Sequence, residues 1–188
     1  LLDLKAPLVG YLMQSGQIAN GGAVSIAGWT RAAAEPELAI TIAHDVSPGG
    51  TLEAAAEAIM SLTPAIELAD VDLPPQDPEA ILKGNIFQRH VILGEGSRNG
   101  GNTAGLLCTI FRDGKEVGNT TDPEALTGKL PAIVRHVADL LDAFGEKLSE
   151  GDIIIAGSVL PPLTLTPEER SLRFELFPIG NVAVEFSR

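Results

Sequence analysis

Two glutamates separated by a proline form a pattern with clear chemical potential. Glu35 and Glu37 flank Pro36 and directly precede the apolar run Leu38-Ala39-Ile40. Because alternate side chains of an extended backbone point to the same face, both carboxylates face the same way. Two like charges side by side repel each other, and a cation between them relieves that cost. The tripeptide therefore predicts a cation site at the mouth of a buried strand.

A third glutamate lies in an apolar context further along the chain. Glu67 is surrounded by Pro64-Ala65-Ile66 and Leu68-Ala69, which predicts that it is buried. A charged carboxylate seldom stays buried unless it is paired or bound to a metal. Three oxygen ligands without His or Cys suit Mg²⁺ or Mn²⁺ and leave positions open for water or substrate. The alternative is two surface glutamates and one buried salt bridge.

Composition narrows the class of protein. The chain has 188 residues, which is the size of a single domain, here residues 1–188. With 25 acidic and 13 basic residues the net charge is −12, which disfavours a nucleic-acid partner.

The single cysteine, Cys108, excludes a disulfide framework and is predicted to be a small buried hydrophobe. Since there is no membrane-spanning run and no signal-peptide pattern, we expect no membrane partner and a cytoplasmic location.

The elements that must position the glutamates are mostly strands. Two helices are predicted, over Leu52–Leu62 with Thr51 as N-cap, and over Leu130–Leu148 with Gly145 interrupting or ending it. Hairpins imply antiparallel pairing, so the pattern favours a strand-rich α+β fold and not a doubly wound sheet. The predicted strands are Glu37–Val46, Ala65–Val71, Arg89–Leu93, Gly105–Phe111, Lys115–Thr120, Asp152–Ala156, Ser171–Phe177 and Val182–Phe186.

Three motifs in order resemble a known family. They are Ala34-Glu35-Pro36-Glu37-Leu38-Ala39, Pro64-Ala65-Ile66-Glu67-Leu68-Ala69-Asp70, and Gly151-Asp152-Ile153-Ile154-Ile155-Ala156-Gly157-Ser158. Their order and separation resemble the fumarylacetoacetate hydrolase superfamily. Within it they are similar to the branch of 2-hydroxypentadienoate hydratases and 4-oxalocrotonate decarboxylases, and the resemblance covers nearly the whole chain.

The resemblance implies a fold, a metal and a reaction class. The fold would be a mixed β-sandwich or rolled β-barrel of the C-terminal domain type, with a few peripheral helices. Glu35, Glu37 and Glu67 would hold Mg²⁺ or Mn²⁺, which would chelate a 2-oxo acid and stabilise an enolate. Gly157 and Ser158 match the segment that borders the substrate pocket in relatives, although Ser158 also fits a simple turn serine.

The chain also departs from the family pattern around the acid–base residues. The lysine of the hydratases would fall before Leu1, so we expect the N-terminal part of the family domain to lie outside this sequence. The aspartate that works with this lysine is replaced by Ser15 or its neighbour Gln14. Asp70 is kept, whereas the usual Asp-Asn pair is Gly84-Asn85. Either the substrate differs, or the chemistry is weakened or lost.

These observations lead to one main prediction and two alternatives. We predict a metal-dependent lyase, of hydratase or decarboxylase type, that acts on a small 2-oxo acid and assembles as a homo-oligomer. Asp70 and Asn85 are its candidate catalytic residues, and Arg31, Gly157 and Ser158 are its candidate substrate contacts. The alternatives are a hydrolase of acylpyruvates and a non-catalytic homologue that keeps a metal or an assembly role.

Overall fold

Two β-sheets and three short helices make up the computed structural model, which describes residues 7–72 and 77–187. Pro74 and Pro75, predicted in a loop, lie outside the described residues. The helices are α1 (Leu52–Glu57), α2 (Pro78–Lys83) and α3 (Leu130–Ala143). The strands are β1 (Gln17–Ile18), β2 (Ala23–Ser25), β3 (Ala32–Ile42), β4 (Ile59–Asp70), β5 (Gln88–Leu93), β6 (Leu107–Arg112), β7 (Lys115–Thr120), β8 (Ile153–Ser158), β9 (Leu163–Thr164), β10 (Ser171–Phe177) and β11 (Gly180–Ser187).

Both sheets are mixed and open. The first has the order β1-β5-β4-β3-β8, with β9 also paired to β3, and only β1 and β5 run parallel in it. The second has the order β2-β11-β10-β6-β7, and only β2 and β11 run parallel. The prediction of a strand-rich fold dominated by antiparallel pairs is confirmed. The sandwich or rolled-barrel form stays a prediction.

The β3–β4 pair is the centre of the first sheet, and it corrects the predicted position of the paired glutamates. The strand was predicted over Glu37–Val46 but runs over Ala32–Ile42, so the glutamates lie in its middle and not at its mouth. Pro36 is tolerated there because β3 changes partner from β9 to β8 at this point, and the Pro36 carbonyl accepts from the Val159 amide on that side.

The hydrophobic core fixes which face of this strand pair the glutamates occupy. Every second residue of β3 and β4 packs against the second sheet, including Leu38, Ile40, Leu62, Ile66 and Leu68, all 0% exposed. Each such side chain contributes about 1.5–3 kcal/mol on burial. A slip of one residue would expose the whole set, so the register is strongly specified. The intervening positions, including the glutamates, must therefore face away from the core.

The first helix is shorter than predicted. Thr51 caps it as expected, since its Oγ1 accepts from the Ala54 amide at 3.2 Å. The prediction that it continues to Leu62 is wrong, because the helix ends at Glu57 and Ile59 begins β4. Pairing with β3 and burial of Leu62 outweigh the helix propensity of the alanine-rich segment.

The third helix also ends early. It stops at Ala143, and Gly145 follows with φ +78°, a conformation that glycine adopts without strain. Gly145 thus ends the helix, and Phe144, which lies beyond the last turn, is 74% exposed. The buried face comprises Leu130, Val134, Val137 and Ala138.

Other sequence predictions hold. Asp113 and Gly114, with φ of +49° and +76°, form the tight turn between β6 and β7. Cys108 is 0% exposed, and burial raises the pKa of its thiol to about 12, as expected for a packed hydrophobe. In the parts of the chain that the structure describes, no helix is both long enough and apolar enough to cross a bilayer.

Candidate functional site

The strand register brings the three predicted glutamates together. Glu35 lies directly opposite Glu67, and Glu37 lies opposite Ala65, one diagonal step from Glu67. Because the positions differ by even numbers of residues along each strand, all three side chains point to the same face. That face is otherwise lined by small buried residues, namely Ala33, Ala39, Ala65 and Ala69. The glutamates are therefore the charged residues that β3 and β4 place on this face.

Burial makes these carboxyl groups hard to ionise. Glu37 is only 2% exposed, and its pKa is raised well above the ordinary range by desolvation first and by the charges of Glu67 and Glu35 second. Desolvation and the charge of Glu35 raise the pKa of Glu67 to about 8. Burial also raises the pKa of Glu35. Three carboxylates on one face therefore need protons or a cation to balance them.

The carboxyl groups of Glu37 and Glu67 are close enough to share a proton in a hydrogen bond. Their carboxyl groups form a hydrogen bond that raises the pKa of Glu37 and lowers that of Glu67. A hydrogen bond between two carboxyl groups requires that at least one of them carries a proton. Within residues 7–72 and 77–187, no three or more His, Cys, Asp or Glu side chains are arranged to hold a metal ion. In this arrangement the carboxyl groups of Glu37 and Glu67 are directed at each other.

The chemistry of the donor set still fits a hard divalent cation. Among the described ion pairs, none involves Glu35, Glu37 or Glu67. The salt-bridge alternative considered from the sequence thus has no support in the described part of the chain. Carboxylate oxygens are the ligands that Mg²⁺ and Mn²⁺ prefer. A cation that displaced the shared proton would find three such groups on one face.

Gly157 and Ser158, predicted to border the substrate pocket, lie beside Glu37, and each has its own contact. The Gly157 amide donates to Glu37 Oε2 at 2.8 Å. Ser158 is the cross-strand partner of Glu37, and its hydroxyl donates to the Leu160 carbonyl at 2.5 Å. The hydroxyl is therefore engaged in the turn after β8, whereas the Gly157 amide is directed at the glutamate cluster.

Asp70 and Arg31 meet at the end of the β3–β4 pair. Asp70 is 6% exposed and points to the face opposite Glu67, since it is three residues further along β4. Its carboxylate accepts from the amides of Thr30 at 3.1 Å and Arg31 at 2.8 Å. The Arg31 side chain is exposed. The structure thus places Asp70 as the anchor of the loop that enters β3, and it does not bring Asp70 to the carboxylate cluster.

Asn85 lies in a short left-handed turn before β5. The turn spans Asn85–Phe87, with φ of +53°, +56° and +67° at its three residues. The Asn85 side chain accepts from the Tyr11 amide at 2.8 Å and donates to the Tyr11 carbonyl at 2.8 Å. It also donates to Gln88 Oε1 at 3.2 Å. Its observed contacts therefore hold the N-terminal segment against the start of β5.

Two features of the site were not predicted from the sequence. The first is the row of small side chains beside the glutamates, called here the alanine floor, which comprises Ala33, Ala39, Ala65 and Ala69. The two-residue period of small side chains in β3 and β4 could have indicated it. The second is the hydrogen bond from Gly157 to Glu37, which links residues 120 positions apart. No local pattern reports such a contact, because it depends on the pairing of β3 with β8.

Comparison with known proteins agrees with the motifs. No family model matches the chain. The chain is 26% identical to a 2-hydroxyhexa-2,4-dienoate hydratase of Comamonas testosteroni, over 100% of this chain and 73% of that protein.

Solved structures share the fold. A 4-oxalocrotonate decarboxylase from Pseudomonas putida G7, complexed with magnesium and adipate, has a TM-score of 0.82 at 21% identity, covering 95% of this chain and 69% of that one. A fumarylpyruvate hydrolase from Pseudomonas aeruginosa, in complex with Mn²⁺ and pyruvate, has a TM-score of 0.69 at 14% identity, covering 90% and 73%. The predicted resemblance is thus confirmed: in sequence and fold this chain is similar to the hydratase and decarboxylase branch of the fumarylacetoacetate hydrolase superfamily.

Proposed function

We propose that this chain is a metal-dependent lyase, of hydratase or decarboxylase type, that acts on a small 2-oxo or 2-hydroxydienoic acid. The observation that supports the proposal most strongly is the set of three carboxylates on one face of the β3–β4 pair. Glu37 is almost fully buried there, and the pKa of both Glu37 and Glu67 is raised by burial and by their neighbours. A bound divalent cation would neutralise the negative charge of these carboxylates.

In this proposal Glu35, Glu37 and Glu67 hold Mg²⁺ or Mn²⁺. Binding requires that Glu37 and Glu67 give up their shared proton and turn their oxygens towards the ion. A bound divalent ion would supply Lewis-acid polarisation of the oxygens of a 2-oxo acid. Relatives with this fold support the assignment, since one is described with magnesium and another with Mn²⁺ and pyruvate.

Other residues of this chain would serve the substrate. In this proposal a small planar acid would lie next to the carboxylates, above the alanine floor. Arg31, which is exposed at the entrance to β3, is a candidate partner for a distant carboxylate of the substrate. Asp70 and Asn85, predicted as catalytic, act in this proposal through the loop and the N-terminal segment that they hold. Ser158 and Gly157 border the same space from β8.

Product analysis with the metal-loaded protein tests the reaction class. With Mn²⁺ present, a hydratase should add water to a 2-hydroxydienoate, which would then lose its conjugated absorbance. A decarboxylase should instead release CO₂ from an unsaturated 2-oxo acid with a second carboxylate, and the product would be the 2-hydroxydienoate. Glu37→Gln should be inactive under the same conditions, and Glu57→Gln, an exposed change outside the site, should be fully active. Turnover without metal, or equal turnover by Glu37→Gln, would refute the proposal.

A hydrolase of acylpyruvates is the second candidate. The similarity in fold to the fumarylpyruvate hydrolase keeps it open. Cleavage of an acylpyruvate to pyruvate and a second acid, without reaction on the dienoate, would favour it. Assembly as a homo-oligomer and a cytoplasmic location also stay predictions, and light scattering during size-exclusion chromatography tests the former.

A further inference from the structure

An irregularity in β8 lies directly beside the carboxylate cluster. Glu37 pairs with Ser158, but Ala39 pairs with Ile155, so two residues of β8 oppose one residue of β3. This is a β-bulge, and its second residue, Gly157, has φ +92°. A glycine at positive φ is typical of such a bulge, because other residues are strained there.

The bulge redirects one amide from the backbone to a side chain. In a regular β-ladder, an amide of β8 that faces β3 would donate a hydrogen bond to a carbonyl of β3. The Gly157 amide instead donates to Glu37 Oε2 at 2.8 Å. A hydrogen bond from an amide to a carboxylate is stronger than one between neutral groups, and it holds the oxygen in a defined direction. The same carboxyl group also interacts with Glu67 and Glu35.

The space around Gly157 leaves little tolerance for a side chain. A Cβ added to Gly157 would lie 3.1 Å from Thr127 Cγ2, in the loop before α3. A side chain at Gly157 would therefore require Thr127 or the bulge to shift by a few tenths of an ångström, and it would also strain the backbone at φ +92°. Backbone strain or a shift of the bulge would displace the amide from Glu37.

We propose that Gly157 is a positioning residue whose bulge amide fixes the orientation of Glu37 for binding a divalent cation. This rests on the proposed function, since the cation is the ligand that Glu37 is oriented to bind. Partners that orient metal ligands typically change metal affinity by about 10–100-fold when they are altered. Gly157→Ala should therefore weaken Mn²⁺ binding by about that factor.

Gly151 provides a matched control. It has φ +87°, precedes the same strand, and donates its amide to the Ile42 carbonyl of β3 instead of to a carboxylate. A Cβ at Gly151 meets nothing within 4 Å. Gly151→Ala therefore imposes a similar backbone strain without disturbing Glu37, and its Mn²⁺ affinity should stay within about 3-fold of the parent, well below the effect of altering a ligand partner.

Calorimetric titration of Mn²⁺ into the parent chain and both variants is the first part of the test. Weak binding by Gly157→Ala alone supports the proposal. Parent-like binding by Gly157→Ala, or equal weakening in both variants, overturns it. If the parent itself binds no Mn²⁺, the proposed function fails. Whether the Gly157 amide positions Glu37 is then tested by a separate measurement.

That measurement is the amide proton resonance of Gly157 in the metal-free chain. Loss of the carboxylate acceptor in Glu37→Ala should shift this resonance upfield, whereas Glu35→Ala should leave it nearly unchanged. An equal shift in both variants, or none in either, would show that the amide does not position Glu37. This readout also serves if Gly157→Ala does not fold.

Discussion

Replacing Glu67 by glutamine should reduce the loss of folding stability that the metal-free protein undergoes as the pH rises. Glu67 forms a hydrogen bond with Glu37 and lies directly opposite Glu35. Glutamine keeps the size and hydrogen-bonding capacity of the side chain but removes its charge. The substitution therefore tests whether the crowded carboxylates destabilise the fold when no cation is bound.

The size of the effect follows from the pKa of Glu67. Its pKa is 4.5 for an exposed glutamate and about 8 in the folded chain. Between these values the folded state keeps the proton and the unfolded state has lost it, so the free energy of unfolding falls as the pH rises. One proton corresponds to at most about 1.4 kcal/mol per pH unit. Since Glu67 is partly exposed to screening water, we expect a loss of about 1–2 kcal/mol from about pH 5.5 to about pH 7.5.

Urea unfolding at these two pH values, with a chelator present, measures the loss. The parent should lose stability over the interval, Glu67→Gln should lose clearly less, and Glu57→Gln should match the parent because Glu57 is exposed and outside the site. If the free energy of unfolding has the same pH dependence in the parent and in Glu67→Gln, the inference that these carboxylates repel one another and destabilise the fold is refuted.

Three other outcomes are expected. Mn²⁺ should release protons on binding and bind more tightly as the pH rises towards about 8, since the raised pKa of Glu67 must be overcome, and calorimetry in buffers of different ionisation enthalpy checks this. Asp70→Asn should lower the free energy of unfolding by about 1–3 kcal/mol while Mn²⁺ affinity is kept, because Asp70 anchors the Thr30–Arg31 amides and faces away from the cluster; urea unfolding and titration together check it. Cys108 should not react with a thiol reagent in the folded chain, because the thiol is buried with a pKa of about 12, and reaction only on addition of denaturant would agree.

The carboxylate cluster could be predicted from the sequence because it depends on periodicity. Glu35 and Glu37 share a face in any extended chain, and the apolar residues around Glu67 predict that it lies in a strand. What the sequence did not indicate was the length of β3 and β4. Both strands extend beyond their apolar centres because they pair with each other along their length. That pairing makes the last four residues predicted for α1, from Ile59 to Leu62, part of β4.

Residues that act through long-range contacts were harder to assign. Asp70 and Asn85 were singled out by motif, yet their observed contacts hold the Arg31 loop and Tyr11. Gly157 was assigned to the substrate pocket, whereas its amide contacts Glu37 through a bulge between strands far apart in sequence. Such roles depend on register and on local backbone irregularity, which residue types alone do not specify.

The central claim is that Glu35, Glu37 and Glu67 form a divalent-metal site for 2-oxo acids. Calorimetric titration of Mg²⁺ and Mn²⁺ into chelator-stripped protein, with and without oxalate as a mimic of a 2-oxo-acid enolate, tests it most directly. We predict that both ions bind, that oxalate binds only when metal is present, and that Glu37→Gln abolishes both events. Absence of metal binding in the parent chain, or unchanged binding in Glu37→Gln, would contradict the claim.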